Sequence, residues 1–223
     1  MQITNQVGTL YSVLYVLLGT LLLPSLAGST LAHASAAVAL VLDLSSTSTP
    51  ALNAYQEITA STPLHLGQKT RLTFLHYATC HMVTVTGGVL QVEADTYRLT
   101  GGKTEQDTRV DCPRHLHIGE HGQTGRQPHS DRHTVPLLPT FVLVGHNAEA
   151  YSALRVLQAG KIIMDVPIQE RRVPWPRAIP PLSPDTIYEA ILITTSADAP
   201  PARFTFMATR ALSGQTLILV HGD

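Results

Sequence analysis

Charge is scarce in this 223-residue chain: Lys, Arg, Asp and Glu together make up 14% of it, and the formal net charge is −1. Nothing in that balance draws nucleic acid or an acidic substrate toward the protein. Lysine is rare and the arginines are dispersed, with one short cluster, ERR at Glu170 to Arg172. Only 5% of residues are aromatic and only two are cysteine, Cys80 and Cys112. No stretch after residue 35 has the apolar spacing of a long amphipathic helix. Also missing are a GxSxG elbow, a P-loop, a dinucleotide fingerprint, an SxxK motif and a C-x-x-C pair, so the common catalytic and redox signatures are absent. The acids Asp95, Asp107, Asp165 and Asp185 stand mainly alone and suit exposed turns, and Ser183 sits in a proline-flanked turn.

What remains is apolar and rich in turn formers. Hydrophobic residues reach 44%, with 15 prolines and 15 glycines, a composition for ordered globular structure long enough for two small domains. The amino terminus holds a long apolar run, LYSVLYVLLGTLLLPSLAG over residues 10–28, followed by LAHA, where Ala32 and Ala34 form an A-x-A cleavage pattern. Its leading segment has no basic residue; the first is Lys69. Three readings stay open: a cleaved export signal, a retained membrane anchor through residues 10–28, or a buried helix. Export favours a disulfide between Cys80 and Cys112. Closing a loop of about 30 residues would stabilise the fold by about 3–4 kcal/mol. The alternative is two unpaired thiols, with Cys80 buried in a strand.

Beyond residue 35 the pattern is that of an all-β protein. AVALVLDL reads as a strand, and LHLGQKTRLTFL as a Gly-Gln-Lys turn followed by alternation, with Leu72, Phe74 and His76 on one face and Arg71, Thr73 and Leu75 on the other. CHMVTVTGG and VLQVEADTYRLTGG are β-branched strands, each closed by a double-glycine turn, at Gly87–Gly88 and Gly101–Gly102. His76 and His81, flanking Cys80, read as sheet surface or turn packing. Gly67 to Tyr97 resembles the periplasmic sensory domain of FecR-like proteins. The resemblance implies export and a small non-catalytic β-module over about residues 39–112.

A second β-pattern starts near residue 140: TFVLVG, YSALRVLQAG, KIIMDVPI, TIYEAILITT, ARFTFMATRA and QTLILVHG suit a small antiparallel sandwich. Pro181 to Leu192, PLSPDTIYEAIL, resembles the turn-and-strand corner of fibronectin type III-like and Ig-like domains. That resemblance implies that Tyr188 bonds nearby backbone through its hydroxyl, with Leu182 packed below. Trp175, between two prolines, packs against the sandwich or stacks on a ligand. The expected domains are therefore 1–34 (signal or anchor), 35–112 (FecR-like), 113–139 (polar connector) and 140–223 (sandwich).

The connector is histidine-rich: CPRHLHIGEHGQTGRQPHSDRH places His115, His117, His121, His129 and His133 beside Cys112. In an extended segment His115 and His117 share a face, and the other three could complete a set for Zn²⁺, Cu²⁺ or Ni²⁺. Glu120 and Asp131 could be ligands or orient a ring nitrogen. Three glycines and Arg114, Arg126 and Arg132 oppose a fixed cation site, leaving weak opportunistic binding or a solvated connector as the other readings. The composition suits an exported, non-catalytic envelope module for binding, scaffolding or sensing, with no cofactor and a protein partner in the cell envelope. The alternatives are a periplasmic transition-metal-binding protein and an envelope hydrolase.

Overall fold

A doubled-over sheet, a central sheet and an outer sheet account for the strands of the computed structural model, which describes residues 36–118, 133–195 and 201–222. The first sheet contains β1 (Ala37–Leu44), β2 (Ser48–Thr49), β3 (Glu57–Thr59), β4 (Pro63–His76), β5 (His81–Val92), β6 (Tyr97–Thr100) and β7 (Lys103–Arg109). Its order is β3-β1-β4-β5-β6, with β2 also against β4 and β7 also against β5, all antiparallel.

The expected turns at Gly67–Lys69 and Gly87–Gly88 are instead breaks inside long strands. β4 runs through residues 67–70 as a bulge, between the pairs Leu66↔Gly88 and Arg71↔Thr86. β5 pairs β6 beyond Gly88 and β7 before Gly87, so Gly101–Gly102 lies opposite Gly87–Gly88. Bulge and glycine pairs thus form one fold line across three chain paths. Backbone contact explains the glycines: a Cβ on Gly88 would lie 2.5 Å from Gly102 N and from Thr100 O, and one on Gly102 would collide with the Gly87 carbonyl. Gly87, Gly88 and Gly101 also have φ of 63°, 82° and 70°. The two limbs share one core, with Leu64, Leu66, Leu90 and Val92 from one side of the line and Leu72, Phe74, Val83 and Val85 from the other.

The central sheet is β13-β10-β16-β8, built from β8 (Arg114–His117), β10 (Thr140–Val144), β13 (Arg172–Pro174) and β16 (Leu217–His221). The outer sheet is β12-β11-β14-β15-β9, from β9 (Thr134–Pro136), β11 (Tyr151–Gln158), β12 (Lys161–Pro167), β14 (Ile187–Thr194) and β15 (Ala202–Thr209). The six strands expected after residue 140 all form, but the sandwich is not wholly antiparallel: β10–β16, β16–β8 and β15–β9 are parallel. The expected connector, 113–139, supplies β8 and β9 to the two sheets; its middle, 119–132, lies outside the described residues, as does the apolar run at 10–28. The described residues all fall within one compact unit.

The reason is visible in the strand faces. Phe141, Leu143, Val173, Leu116, Ile218 and Val220 face the outer sheet in one core. The alternate residues Val142, Val144 and Leu219 pack with Leu40 and Leu75 of the first sheet. Strands covered on both faces read as continuous apolar runs, which is what TFVLV and LILV are.

The glycine line yields a paired expectation. Gly101→Ala adds a side chain in open space at a positive φ and should cost about 1 kcal/mol. Gly102→Ala drives a methyl into the Gly87 backbone and should cost upwards of about 3 kcal/mol. Urea unfolding of the two variants measures the difference, and equal losses would contradict the fold line.

Candidate functional site

Both edges of the central sheet carry polar groups on the face turned toward the first sheet. The row Arg172–Val142–Leu219–His115 crosses the four strands in register. Strand alternation places Arg172 opposite the buried Val173, and His115 and His117 on either side of the buried Leu116.

At one edge, Arg172 lies over the Tyr55 ring, 5.7 Å from its centroid. Tyr55 is held at φ 61° by the loop before β3, where its N–H donates to the Val41 carbonyl at 2.8 Å. The neighbouring turn is strained as well: Glu170 and Arg171 have φ of 48° and 61° between the bridged residues Gln169 and Arg172. Hairpin turns with two positive φ values normally use Asn-Gly; here the Leu143 N–H donates to the Arg171 carbonyl, and the Arg171 guanidinium pairs with Glu149 at 2.7 Å. Two non-glycine residues in left-handed conformations, Tyr55 and Glu170, therefore line one crevice, with Arg171 next in the chain, a feature that concentrates at functional sites. An open cleft of about 710 Å³ runs from Tyr55 and Arg172 along Val173 and Pro174 of β13 to Val166 and Pro167 of β12. A smaller cavity of about 280 Å³ shares Tyr55 and Arg172 and is lined by Leu42, Leu75, Met82, Val110 and Leu217, with Asp111 and Gln215.

At the other edge are three histidines. His115 Nδ1 and His221 Nε2 are hydrogen-bonded at 2.8 Å, one nitrogen donating and the other accepting. The His221 ring stacks on those of His115 and His117, with centroids 5.1 and 4.5 Å apart. His115 also meets Tyr77 edge-on at 5.2 Å, and the Tyr77 hydroxyl donates to Glu57 at 3.0 Å. Burial, then the Glu57 carboxylate, pushes the Tyr77 phenol well above its ordinary value. Loss of surrounding water, then the nearby charge of His117, holds His115 below the ordinary histidine value.

His133 lies apart from this cluster, its carbonyl accepting from Met207 N–H beside the outer sheet. His121 and His129 lie outside the described residues. The spacing signal thus identified two of the three clustered rings and missed His221, which follows the apolar run LILV. Among the described residues no group of three or more His, Cys, Asp or Glu is placed to hold a metal ion. The geometry explains why: the rings lie within 21° and 18° of parallel, so their in-plane lone pairs do not converge on one point.

Cys80 and Cys112 form a disulfide, with Cα atoms 4.8 Å apart, tying the β4–β5 turn to the segment entering β8. Tyr188 is buried, its hydroxyl accepting from Ser183 N–H at 2.8 Å, beside buried Leu182 in the same core. Trp175 joins that core, its indole N–H donating to the Pro180 carbonyl at 3.0 Å. His76 is buried and bonded at both nitrogens, accepting from Thr79 N–H at 3.3 Å and donating to the Glu93 carbonyl at 3.0 Å. Two of the isolated acids are not in turns: Asp107 on β7 pairs with His81 at 2.5 Å, and Asp165 on β12 with Arg155 at 2.7 Å. The hydrogen bond from His81 holds the Asp107 carboxyl below its usual range.

The chain matches no family model, no curated protein and no solved structure. Among the described residues no helix is long and apolar enough to cross a membrane.

The histidine stack makes stability depend on pH with a definite sign. Because folding lowers the His115 pKa, the unfolded chain binds its proton first, near pH 6.5. Stability contributed by the neutral ring is complete above that value and is lost as pH falls toward the folded pKa. Urea midpoints should therefore drop between about pH 7 and pH 5, and less steeply in His115→Gln, whose side-chain amide does not titrate. Parallel pH profiles for the two proteins would refute the assignment.

Proposed function

We propose that this chain is an exported, non-catalytic module of the cell envelope that holds a segment of a partner protein, as a scaffold or sensor. The observation behind this reading is the cleft between two sheet edges that lack a further strand neighbour among the described residues, β12 and β13. One edge of the first sheet looks different: every residue of β7, KTEQDTR, is exposed, and the charged side chains discourage pairing. β12 is seven residues long, KIIMDVP, and leaves Ile162 49% exposed. An extended partner segment lying in the cleft would pair with the open backbone groups of β12, and its side chains would meet Val166, Val173 and the proline rings.

Export is supported by the Cys80–Cys112 disulfide, since such bonds persist in oxidising compartments. In this reading residues 10–28 are the export signal or an anchor, and the module works in the periplasm. The FecR-like character of Gly67 to Tyr97 and the fibronectin-like corner at Pro181 to Tyr188 belong to the same proposal. Both kinds of domain are built for contact rather than chemistry.

A photocrosslinking residue placed at Ile162 in the full-length protein, expressed in its own envelope, tests this. One discrete protein adduct is expected from position 162 and none from position 108 on β7. Equal adducts from both positions, or none from 162, would reject docking at β12. Recovery of the chain in a reducing compartment with both thiols free would reject export.

A further inference from the structure

We propose that the cavity beside Arg172 is a binding site for a small molecule with an apolar body and a single carboxylate. This does not depend on docking at β12, because the cavity lies between the first and central sheets.

The walls set the ligand's body. Leu42 and Leu75 come from the first sheet, Leu217 from the central sheet, and Met82 and Val110 complete an apolar lining. A volume of about 280 Å³ admits roughly nine groups of water size, each about 30 Å³. That is the small end of ligand pockets, fitting a benzoate or a six-carbon acid better than a lipid.

Arg172 sets the ligand's charge. Arg71, Arg155, Arg171 and Arg203 each pair with a carboxylate, and of the described arginines that do not, Arg172 is the one that lines this cavity. Arg172 lines the cavity with no carboxylate partner among the described residues, and its guanidinium is steadied by the Tyr55 ring. A planar guanidinium packed on an aromatic face keeps its N–H edge for a two-pronged bond to a carboxylate. Its position is set by the pairing of Arg172 with Val142 and by the tight turn at Glu170–Arg171. Asp111 lines the same cavity, its carboxylate accepting from Thr216 Oγ1 at 3.4 Å. A second negative charge on the ligand would meet Asp111, so dianions such as phenyl phosphate are disfavoured. Gln215 offers a neutral polar contact at the rim.

Titration of the full-length protein with benzoate, benzamide and phenyl phosphate, followed by methyl NMR, reads the proposal out. Benzoate should bind with a Kd of roughly 0.1–1 mM and shift the Leu42, Leu75 and Met82 methyl signals. Benzamide and phenyl phosphate should each bind at least about tenfold more weakly. Arg172→Gln should lose at least about tenfold in benzoate affinity, and Arg172→Lys should recover only part of it. Met82→Trp, which fills the cavity while leaving Arg172 in place, should abolish the methyl shifts. Equal binding of benzoate and benzamide, full affinity in Arg172→Gln, or no benzoate binding at roughly 10 mM would each overturn the site.

Discussion

The burial of both faces of the central sheet is the constraint on which the other features depend. A strand that presents Phe141 and Leu143 to one layer and Val142 and Val144 to another has no face left for solvent. Burying each such side chain contributes about 1.5–3 kcal/mol, so neither neighbouring sheet can leave without exposing a continuous apolar surface. The parallel insertion of β16 between β10 and β8 places chain from both ends of the sandwich in this layer. The disulfide from the β4–β5 turn to the entry of β8 closes the same junction covalently.

Polar chemistry appears where that cover runs out. Along one in-register row, the apolar centre Val142–Leu219 is flanked by Arg172 on one edge and His115 on the other. Each edge group packs on a tyrosine contributed by the first sheet's segment, Tyr55 for Arg172 and Tyr77 for His115. The edges differ in what surrounds them. The arginine side opens into two cavities and collects three left-handed residues. On the histidine side the rings fill the space themselves and leave no convergent set of lone pairs.

Much of the strand content was legible because two-residue alternation and dense β-branching mark strands locally. Tyr188 and Leu182 were legible for a similar reason: a corner is set by a few adjacent residues. What local pattern does not encode is partnership over long separations. The pairing of β8 with β16 joins residues such as Leu116 and Val220, and nothing near a histidine-rich stretch announces a buried leucine. A double glycine marks a turn and a close backbone approach alike, because both require the same residue. The Tyr55–Arg172 crevice had one trace in the sequence, the ERR cluster. Tyr55 had none, since its role comes from the turn that holds it and from the strand it faces.

The central claim is that one doubly buried sheet joins the three sheets of the described residues into a single cooperative structure, and native-state hydrogen exchange tests it most directly. The amides of Phe74 and Val83 report on the first sheet, those of Val142 and Leu219 on the central sheet, and those of Ala190 and Phe204 on the outer sheet. A shared opening free energy for all six, falling with the same urea dependence, is the predicted result. Separate opening energies for the first and outer sheets, with Val142 and Leu219 following only one of them, would contradict the account.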